Sequence, residues 1–563
     1  MLRTRRYFVV LLIMSLFVSL FARLFYLQII IKDRFIALAD GQHSSAHRIE
    51  PRRGGIFDGH MDPLAINLDA PSIYCNSREI ADPEGTAGIL AGILEIDKDT
   101  LFEKLSRDKA FVWIERKVAE EEAAAVVGTG VKGLYIVQES RRNYPSGKLA
   151  SHVIGFAGTD NTGLEGLELM FDGQLKGVPG ERRSLRDARQ RTVFYIEKES
   201  VPPKNGSDII LTIDSVIQFI AEEELSVMAE KYRPESASVI VMEPDTGRIL
   251  ALAGYPDYDL NDHGRAPKEH IKNTAVADMY EPGSVFKIVT ASAVINENAV
   301  GLDEEIYCEN GVYSVGGRIL HDVHKYGKLP FLEVIAKSSN IGTVKAAQKL
   351  GKKPLYDYIK RFGFGELTGI GLPGEASGIC RPPSKWSKSD MTTIPIGQGI
   401  AVTPIQLVSA VSVIANGGYL MTPRIVDKIV NWEGDISNEF RTDVKRRVLN
   451  SETCDKMKDI MEAVINDGTG KRARSKKYRL CGKTGTAQMV DPAGGYYADR
   501  YNSTFIGFGP KEKPLVSIIV TAKYPKKAHY GGTVAGPVFK NIAERALQYL
   551  ASNPGTAETE GIQ

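Results

Sequence analysis

The chain carries almost no net charge: 71 Lys and Arg against 69 Asp and Glu leave +2. No global field of one sign exists to hold a nucleic acid or another polyanion. Its five cysteines, Cys75, Cys308, Cys380, Cys454 and Cys481, show no C-x-x-C or metal-ligand spacing, and an odd number leaves at least one without an intramolecular partner. Cysteine chemistry drops out as the function, and small buried side chains are the expectation for all five. No segment recurs with a period of about 20 to 50 residues, so a solenoid or propeller is excluded. There is no Gly-x-Ser-x-Gly elbow, and no histidine stands in a pattern that marks a triad base, which disfavours a Ser-His-Asp hydrolase. Gly482-Lys483-Thr484 has the tail of a phosphate-binding loop, but that loop needs glycine where Lys477 stands.

What is present begins with size. The 563 residues, 43% of them hydrophobic, are enough for about two or three folded units. Between Arg6 and Lys32 runs YFVVLLIMSLFVSLFARLFYLQIII, long enough to cross about 30 Å of hydrocarbon, with Arg23 as its only charge. No small-x-small cleavage site follows, so an uncleaved anchor is expected rather than a signal peptide. Arg3, Arg5 and Arg6 ahead of the span favour a cytoplasmic N-terminus, with the rest of the chain outside the cytoplasm.

Beyond the anchor the texture changes twice. Residues 33–200 alternate short apolar runs with Gly and Pro punctuation, the pattern of a loop-rich module of short strands and helices, and Val201-Pro202-Pro203-Lys204-Asn205-Gly206 reads as a connector. After Asp214 a helical period (VIQFIAEEELSVMAEKY) leads into apolar runs at 237–242 and 249–253 around the Asp245-Thr246-Gly247 turn. A second apolar hairpin lies at 504–508 and 515–522, and 537–551 has the period of a closing helix. Strands at both ends with helices between predict a mixed α/β domain. The expected boundaries are 1–32 for the tip and anchor, 33–213 for the N-terminal module, 214–551 for the main domain and 552–563 for a frayed polar tail.

Three short elements carry chemistry. Glu281-Pro282-Gly283-Ser284-Val285-Phe286-Lys287 runs from a turn into an apolar helical pattern, which places Ser284 near a helix N-terminus with Lys287 on the same face. A serine hydroxyl needs a base, and a desolvated neutral lysine can be one. Such a pair recurs by chance, as in Ser106-Arg107-Asp108-Lys109, and an ordinary capping serine is the usual explanation. Lys337-Ser338-Ser339-Asn340 ends an apolar helical run and by itself is an ordinary helix terminus. Lys483-Thr484-Gly485-Thr486 is more unusual: strand periodicity puts Lys483 and Gly485 on one face and Thr484 and Thr486 on the other, and the glycine admits another backbone. A cation, two hydroxyls and open backbone donors suit a carboxylate and an oxyanion.

Together and in this order, Ser-x-x-Lys, Ser-x-Asn and Lys-Thr-Gly are the signature of penicillin-binding proteins and class A β-lactamases. The chain resembles class B penicillin-binding proteins over nearly its whole length. The likeness also rests on Arg23-Leu24, Arg53-Gly54-Gly55-Ile56-Phe57-Asp58, Gly155-Phe156, Gly163-Leu164-Glu165-Gly166, Leu211-Thr212-Ile213-Asp214, Gly397-Gln398-Gly399 and Thr403-Pro404-Ile405-Gln406-Leu407. It implies a mixed α/β transpeptidase domain with a central antiparallel sheet flanked by helices, an elongated loop-rich α+β pedestal and one transmembrane helix. Ser284 would attack the D-Ala-D-Ala carbonyl of a stem pentapeptide, and an amine of a neighbouring stem would resolve the acyl-enzyme. Lys287 would be the base, Ser338 the proton relay and Asn340 a holder of substrate and Lys287. Lys483 would keep the field positive, Thr484 and Thr486 would grip the terminal carboxylate around Gly485, and the N–H groups of Ser284 and Thr486 would form the oxyanion hole. No metal or organic cofactor is implied, and β-lactams would acylate Ser284. The one departure from the family pattern is Gly59-His60-Met61-Asp62 where Arg-Asn-Gly usually follows the aspartate, which bears on a turn of the pedestal and not on catalysis.

Within the family, Lys337-Ser338-Ser339-Asn340 and the single anchor look most like the septal, cell-division type of diderm bacteria, held in the inner membrane with the catalytic domain on the periplasmic side. That type implies a polytopic membrane glycosyltransferase and other divisome membrane proteins as partners. The elongation-type transpeptidase shares the chemistry and differs in place. A β-lactamase has no use for a long pedestal and an anchor, an intact Ser284, Lys287, Asn340 and Lys483 argue against a dead scaffold, and the lack of further apolar spans or of an intracellular effector domain argues against an antibiotic sensor.

Overall fold

In a computed structural model of the chain, residues 2–35, 44–186 and 192–553 are described; the tail expected at 552–563 lies almost wholly outside them. The chain forms two compact units, Met1–Arg52 with Lys176–Gly206, and Arg53–Leu175 with Ser207–Gln563. In the first, the N-terminal helix Leu2–Phe25 continues through one wider turn, Tyr26–Ile30, with its apolar side chains exposed along the whole length. The span Arg3–Ile30 is long and apolar enough to cross a membrane, and such exposure is stable only against hydrocarbon. The same unit holds a three-stranded antiparallel sheet of Ser44–Ile49, Gly180–Arg186 and Thr192–Val201.

The second unit is built on two sheets. One has seven strands, including Ile56–Phe57, the long Pro63–Cys75, Leu134–Asn143 and Asp208–Leu211. Beneath it a buried charge cluster replaces apolar packing. Glu168, fully buried, accepts from Arg53 Nε at 2.7 Å and Arg142 Nε at 2.6 Å, and Arg53 Nη1 also donates to Asp172 at 2.6 Å. Buried ions need such pairing, since each loses its hydration. The unusual Asp58-Gly59-His60-Met61-Asp62 turn closes around one carboxylate: Asp58 Oδ1 accepts from His60 N and Asp62 N, both at 2.8 Å. Met61 takes the left-handed conformation there, φ 70°.

The other sheet has five antiparallel strands. Helix α1 (Ser215–Tyr232), capped by the Asp214 carboxylate, precedes β1 (Ser236–Met242) and β2 (Ile249–Tyr255). Strands β3 (Cys481–Val490), β4 (Tyr496–Gly509) and β5 (Val516–Lys523) come from the far end of the chain, and the spatial order is β2-β1-β5-β4-β3. Both faces are covered, so β1 and β5 read as near-continuous apolar runs. Val239, Val241, Ile518 and Val520 pack with Ile217, Ile220, Phe539 and Ile542 of α1 and the C-terminal helix, whereas Ile240, Met242, Ile506 and Ile519 pack toward the helical layer on the other face. That layer contains α2 (Lys287–Asn296), α3 (Phe331–Ala336), α4 (Asn340–Leu350), α5 (Pro404–Ala415) and α6 (Ser451–Asn466); α7 (Gly536–Ser552) closes the chain. Helix α5, apolar all round, has no exposed residue. All five cysteines are free thiols, four of them buried. Strand β3 is left as an edge, so alternate backbone N–H and C=O groups along it have no strand partner.

Candidate active site

Ser284 sits in the 3₁₀ turn Gly283–Phe286, which runs directly into α2. Val285 and Phe286 are fully buried and anchor the turn, Phe286 edge-on to Phe364 with 5.2 Å between ring centres, while Ser284 is half-buried. Two backbones hold the turn from below. Gly283 N donates to Gly397 O at 3.0 Å, an approach so close that a Cβ on Gly397 would stand 2.2 Å from the Gly283 carbonyl oxygen. Glu281 clamps the entrance: its carboxylate accepts from Gly399 N at 2.8 Å and from the Tyr496 hydroxyl at 2.9 Å. From above comes β3, where a Cβ on Gly485 would meet Val285 Cγ1 at 2.8 Å and Pro282 O at 3.2 Å. Glycine at 485 is therefore what lets the Ser284 turn lie against the strand.

One turn along, Lys287 is fully buried. Its Nζ donates to Ser338 O at 2.7 Å, to Asn340 Oδ1 at 2.7 Å and to Ser338 Oγ at 3.2 Å. Lys483, equally buried, reaches the same Ser338 hydroxyl from β3 at 3.1 Å and its own neighbour's carbonyl, Thr484 O, at 3.1 Å. Two lysines from distant segments thus converge on one serine oxygen. The Ser284 hydroxyl has no hydrogen-bond partner among the described residues.

The turn that carries Ser338 is unusual. Ser338 is left-handed, φ 59°, between the end of α3 and the start of α4. A Cβ there costs about 1–2 kcal/mol, which the surroundings must offset. Ser338 N donates to Ile335 O at 3.1 Å and Ser339 N to Val334 O at 2.8 Å, closing the end of α3. Ser339 caps α4 by accepting from Gly342 N at 3.0 Å, and its own hydroxyl donates to Asp322 at 2.6 Å. Asp322 also accepts from Asn340 N at 2.5 Å and Ile341 N at 3.1 Å, and Asn340 Nδ2 donates to His321 O at 2.8 Å. Asp322 carries no local motif, and only a three-dimensional register brings it to the site, so sequence reasoning passed it over; Glu281 stands in the Ser284 run, but its bonds to Gly399 and Tyr496 are set by the fold.

On β3, Thr484 and Thr486 point to the face opposite Lys483 and Gly485, as strand periodicity predicts. Thr484 is nearly buried with its hydroxyl 2.7 Å from that of Thr469, and Thr486 Oγ1 accepts from Gly531 N at 3.0 Å. Because it accepts from a backbone N–H, the Thr486 hydroxyl keeps its proton free to donate. The Ser106–Lys109 decoy lies on an exposed helix end, far from any such convergence.

Burial governs the electrostatics. It pushes Lys287 down to about 7, with the Asp322 carboxylate acting in the opposite sense. Lys483 lies well below the usual lysine range, because of burial first and the neighbouring Lys287 cation second. Two ammonium groups sharing one hydroxyl in a dry site repel, so at neutral pH the pair cannot hold two charges. In its neutral form Lys287 donates its two N–H groups to Ser338 O and Asn340 Oδ1, and its lone pair faces the Ser338 hydroxyl at 3.2 Å. The site combines a serine, a buried lysine whose pKa burial lowers to about 7, a hydroxyl bridge and an edge strand, which is equipment for acyl transfer.

Residues 237–544 match the family model described as the penicillin binding protein transpeptidase domain, and 48–211 match the penicillin-binding protein dimerisation domain. The chain is 36% identical to stage V sporulation protein D of Bacillus subtilis over 99% of its own length and 88% of that protein's. It is 31% identical to peptidoglycan D,D-transpeptidase FtsI of Escherichia coli, over 96% of this chain and 91% of FtsI. Penicillin binding protein 3 of Mycobacterium tuberculosis, solved with aztreonam, superposes with a TM-score of 0.71 at 29% identity, covering 90% of this chain and 97% of that one.

Proposed function

The chain belongs to the class B penicillin-binding proteins, serine-type peptidoglycan D,D-transpeptidases, and from that premise we propose that Ser284 is its acylated nucleophile, with Lys287 as the base. The observation that carries this is the convergence of Lys287 and Lys483 on the Ser338 hydroxyl, with Asn340 holding the Lys287 amine.

Ser284 gives its proton to the Lys287 lone pair, and its oxygen bonds to the carbonyl carbon of the penultimate D-Ala. The negative charge that develops on the carbonyl oxygen is met by the backbone N–H groups of Ser284 and Thr486, a class of donor worth about 10²–10³ in rate. As the tetrahedral species collapses, the C–N bond breaks and the proton passes from Lys287 through the Ser338 hydroxyl to the leaving nitrogen. D-Alanine departs. The acceptor amine attacks the ester, returns its proton along the same path, and Ser284 leaves as the free hydroxyl. The terminal carboxylate of the stem favours a proton on Lys483 and draws a hydrogen bond from Thr486, while Thr484 ties the strand to the Thr469 loop. Asn340 holds the substrate amide, and Gly485 keeps the strand close to the turn. No cofactor or metal takes part in these steps.

In this reading 1–32 anchors the chain in the cytoplasmic membrane, 33–213 is the pedestal and 214–551 the transpeptidase domain on the outer side. The biological place is septal wall synthesis, supported by the Lys-Ser-Ser-Asn form of the second motif and the whole-length similarity to FtsI. A polytopic membrane glycosyltransferase and other divisome membrane proteins would then be its partners. The 36% identity to stage V sporulation protein D favours a second reading, the same chemistry in a sporulation wall.

The test is intact-protein mass spectrometry of the solubilised chain after a fluorescent penicillin, with peptide mapping and Ser284→Ala as control. One long-lived adduct on Ser284, absent from the variant, is the expected result. No adduct on folded protein, or rapid turnover of the drug, overturns it. Fluorescent fusions read the place: mid-cell signal supports septal work, side-wall signal the elongation type, and signal confined to sporulating cells the second reading.

A further inference from the structure

Outside the three motifs, one charged group is built into the site with every hydrogen bond directed at it. Asp322 follows an exposed hairpin (Val312–Val315 and Arg318–His321) whose residues make no catalytic motif. Its two carboxylate oxygens take three donors, all from the Ser339–Ile341 segment: the Ser339 hydroxyl at 2.6 Å, Asn340 N at 2.5 Å and Ile341 N at 3.1 Å. The adjoining His321 carbonyl takes the Asn340 amide at 2.8 Å, which turns Asn340 Oδ1 toward Lys287.

We propose that Asp322 is a positioning residue for acyl transfer, holding the strained Ser338 turn and the Asn340 side chain in register with Lys287. This rests on the reading of Ser284 and Lys287 given above. The physical case has two parts. Ser338 in a left-handed conformation is held only while its neighbours are pinned, and Asp322 pins Ser339, Asn340 and Ile341 at once. A carboxylate accepting backbone N–H groups at the start of α4 also gains from the helix terminus, which favours negative charge there. Its charge then reaches Lys287 and favours the ammonium, opposing the burial that drives the amine neutral.

Other titratable or charged groups face this cluster. Lys483 lies beside Lys287, Cys308 has its Sγ 3.4 Å from Ser339 Oγ, Lys345 and Tyr326 flank Cys308 and Asp322, and Lys337 sits 5.8 Å over the Tyr326 ring. His321 and His324 lie on the hairpin side, exposed. Because imidazole is the side chain suited to switching near neutrality, the test includes a background in which both histidines are glutamine.

The experiment measures the second-order rate of acylation by a fluorescent penicillin from pH 5.5 to 9 on the solubilised full chain, for wild type, Asp322→Asn and Asp322→Ala. Asparagine keeps the shape and the backbone acceptor while removing the charge. It should move the rising limb of the profile to lower pH by about one unit, since losing a nearby opposite charge lowers a lysine's pKa, and lower the plateau about tenfold. The shift should persist in the His321→Gln, His324→Gln background. Alanine should cost about a hundredfold or more, with loss of hydrogen-exchange protection at Asn340 and Ile341. A purely structural cap would reduce stability without moving the pH midpoint. Wild-type midpoint and plateau in Asp322→Asn overturn the proposal alone; failure of the wild type itself to acylate overturns the reading of Ser284 and this proposal with it.

Discussion

Replacing Lys287 with methionine should make the protein more stable and catalytically dead, by an amount that depends on pH. In the unfolded chain this lysine titrates at the ordinary 10.5, and in the folded one at about 7. Between those values the unfolded state binds a proton that the folded state does not, so raising the pH stabilises wild type. At about 1.4 kcal/mol per unit, the burden at pH 7 is about 5 kcal/mol, and it fades toward pH 10.5. Methionine is close in volume and carries no such burden. It leaves Ser338 O and Asn340 Oδ1 without their donor, a loss of about 1 kcal/mol each. The net expectation is a gain of about 3 kcal/mol at pH 7, shrinking to nearly nothing at pH 9. Thermal melts of Lys287→Met and wild type at pH 7 and 9, followed by circular dichroism, read the difference directly. A variant less stable than wild type at pH 7, or a gap that does not close with rising pH, refutes the argument that Lys287 is folded in its neutral form.

Other outcomes follow from the same geometry. Acylation of wild type should rise from pH 6 to 8 with a midpoint near the Lys287 value of about 7, because only the neutral amine accepts the Ser284 proton, and a flat stopped-flow profile would count against it. Glu168→Gln should destabilise the pedestal by about 3–5 kcal/mol by leaving Arg53 and Arg142 buried without their shared anion, seen as a lowered melting temperature with little change in the acylation rate of surviving folded protein. Thr486→Val should raise the KM for D-Ala-D-Ala peptides about tenfold, and Thr484→Val should do so much less, since the Thr484 hydroxyl is engaged by Thr469 while that of Thr486 keeps its proton to donate; equal effects would contradict that division.

The shared face of Ser284 and Lys287 was legible because helix geometry brings residues three apart together, and the layout of the β3 motif because a strand separates alternate residues onto two faces. The central sheet was legible as well, since strands buried on both faces must be apolar throughout, as 237–242 and 515–522 are. What escaped was set by contacts far apart in the chain. Asp322 is an acidic residue in an unremarkable loop, and nothing local distinguishes it from a solvated charge until the fold brings Asn340 N to it; Glu281 stands beside Ser284 in the chain, but its partner Gly399 N also comes from far away. The roles of Thr484 and Thr486 were equivalent in the strand pattern and became different only when Thr469 and Gly531 arrived from elsewhere. The turn at Met61 shows the same limit: its missing glycine is compensated by the Asp58 carboxylate, which holds the strained backbone from outside.

Serine at 338 occupies a backbone slot shaped for glycine or asparagine. A chain under selection for stability alone would drift to one of those two residues at this position, and each drift would silence the enzyme by deleting the bridging hydroxyl. Thermostability screens on this protein should therefore enrich Ser338→Gly and Ser338→Asn among their inactive winners, and any consensus-based redesign should leave position 338 untouched.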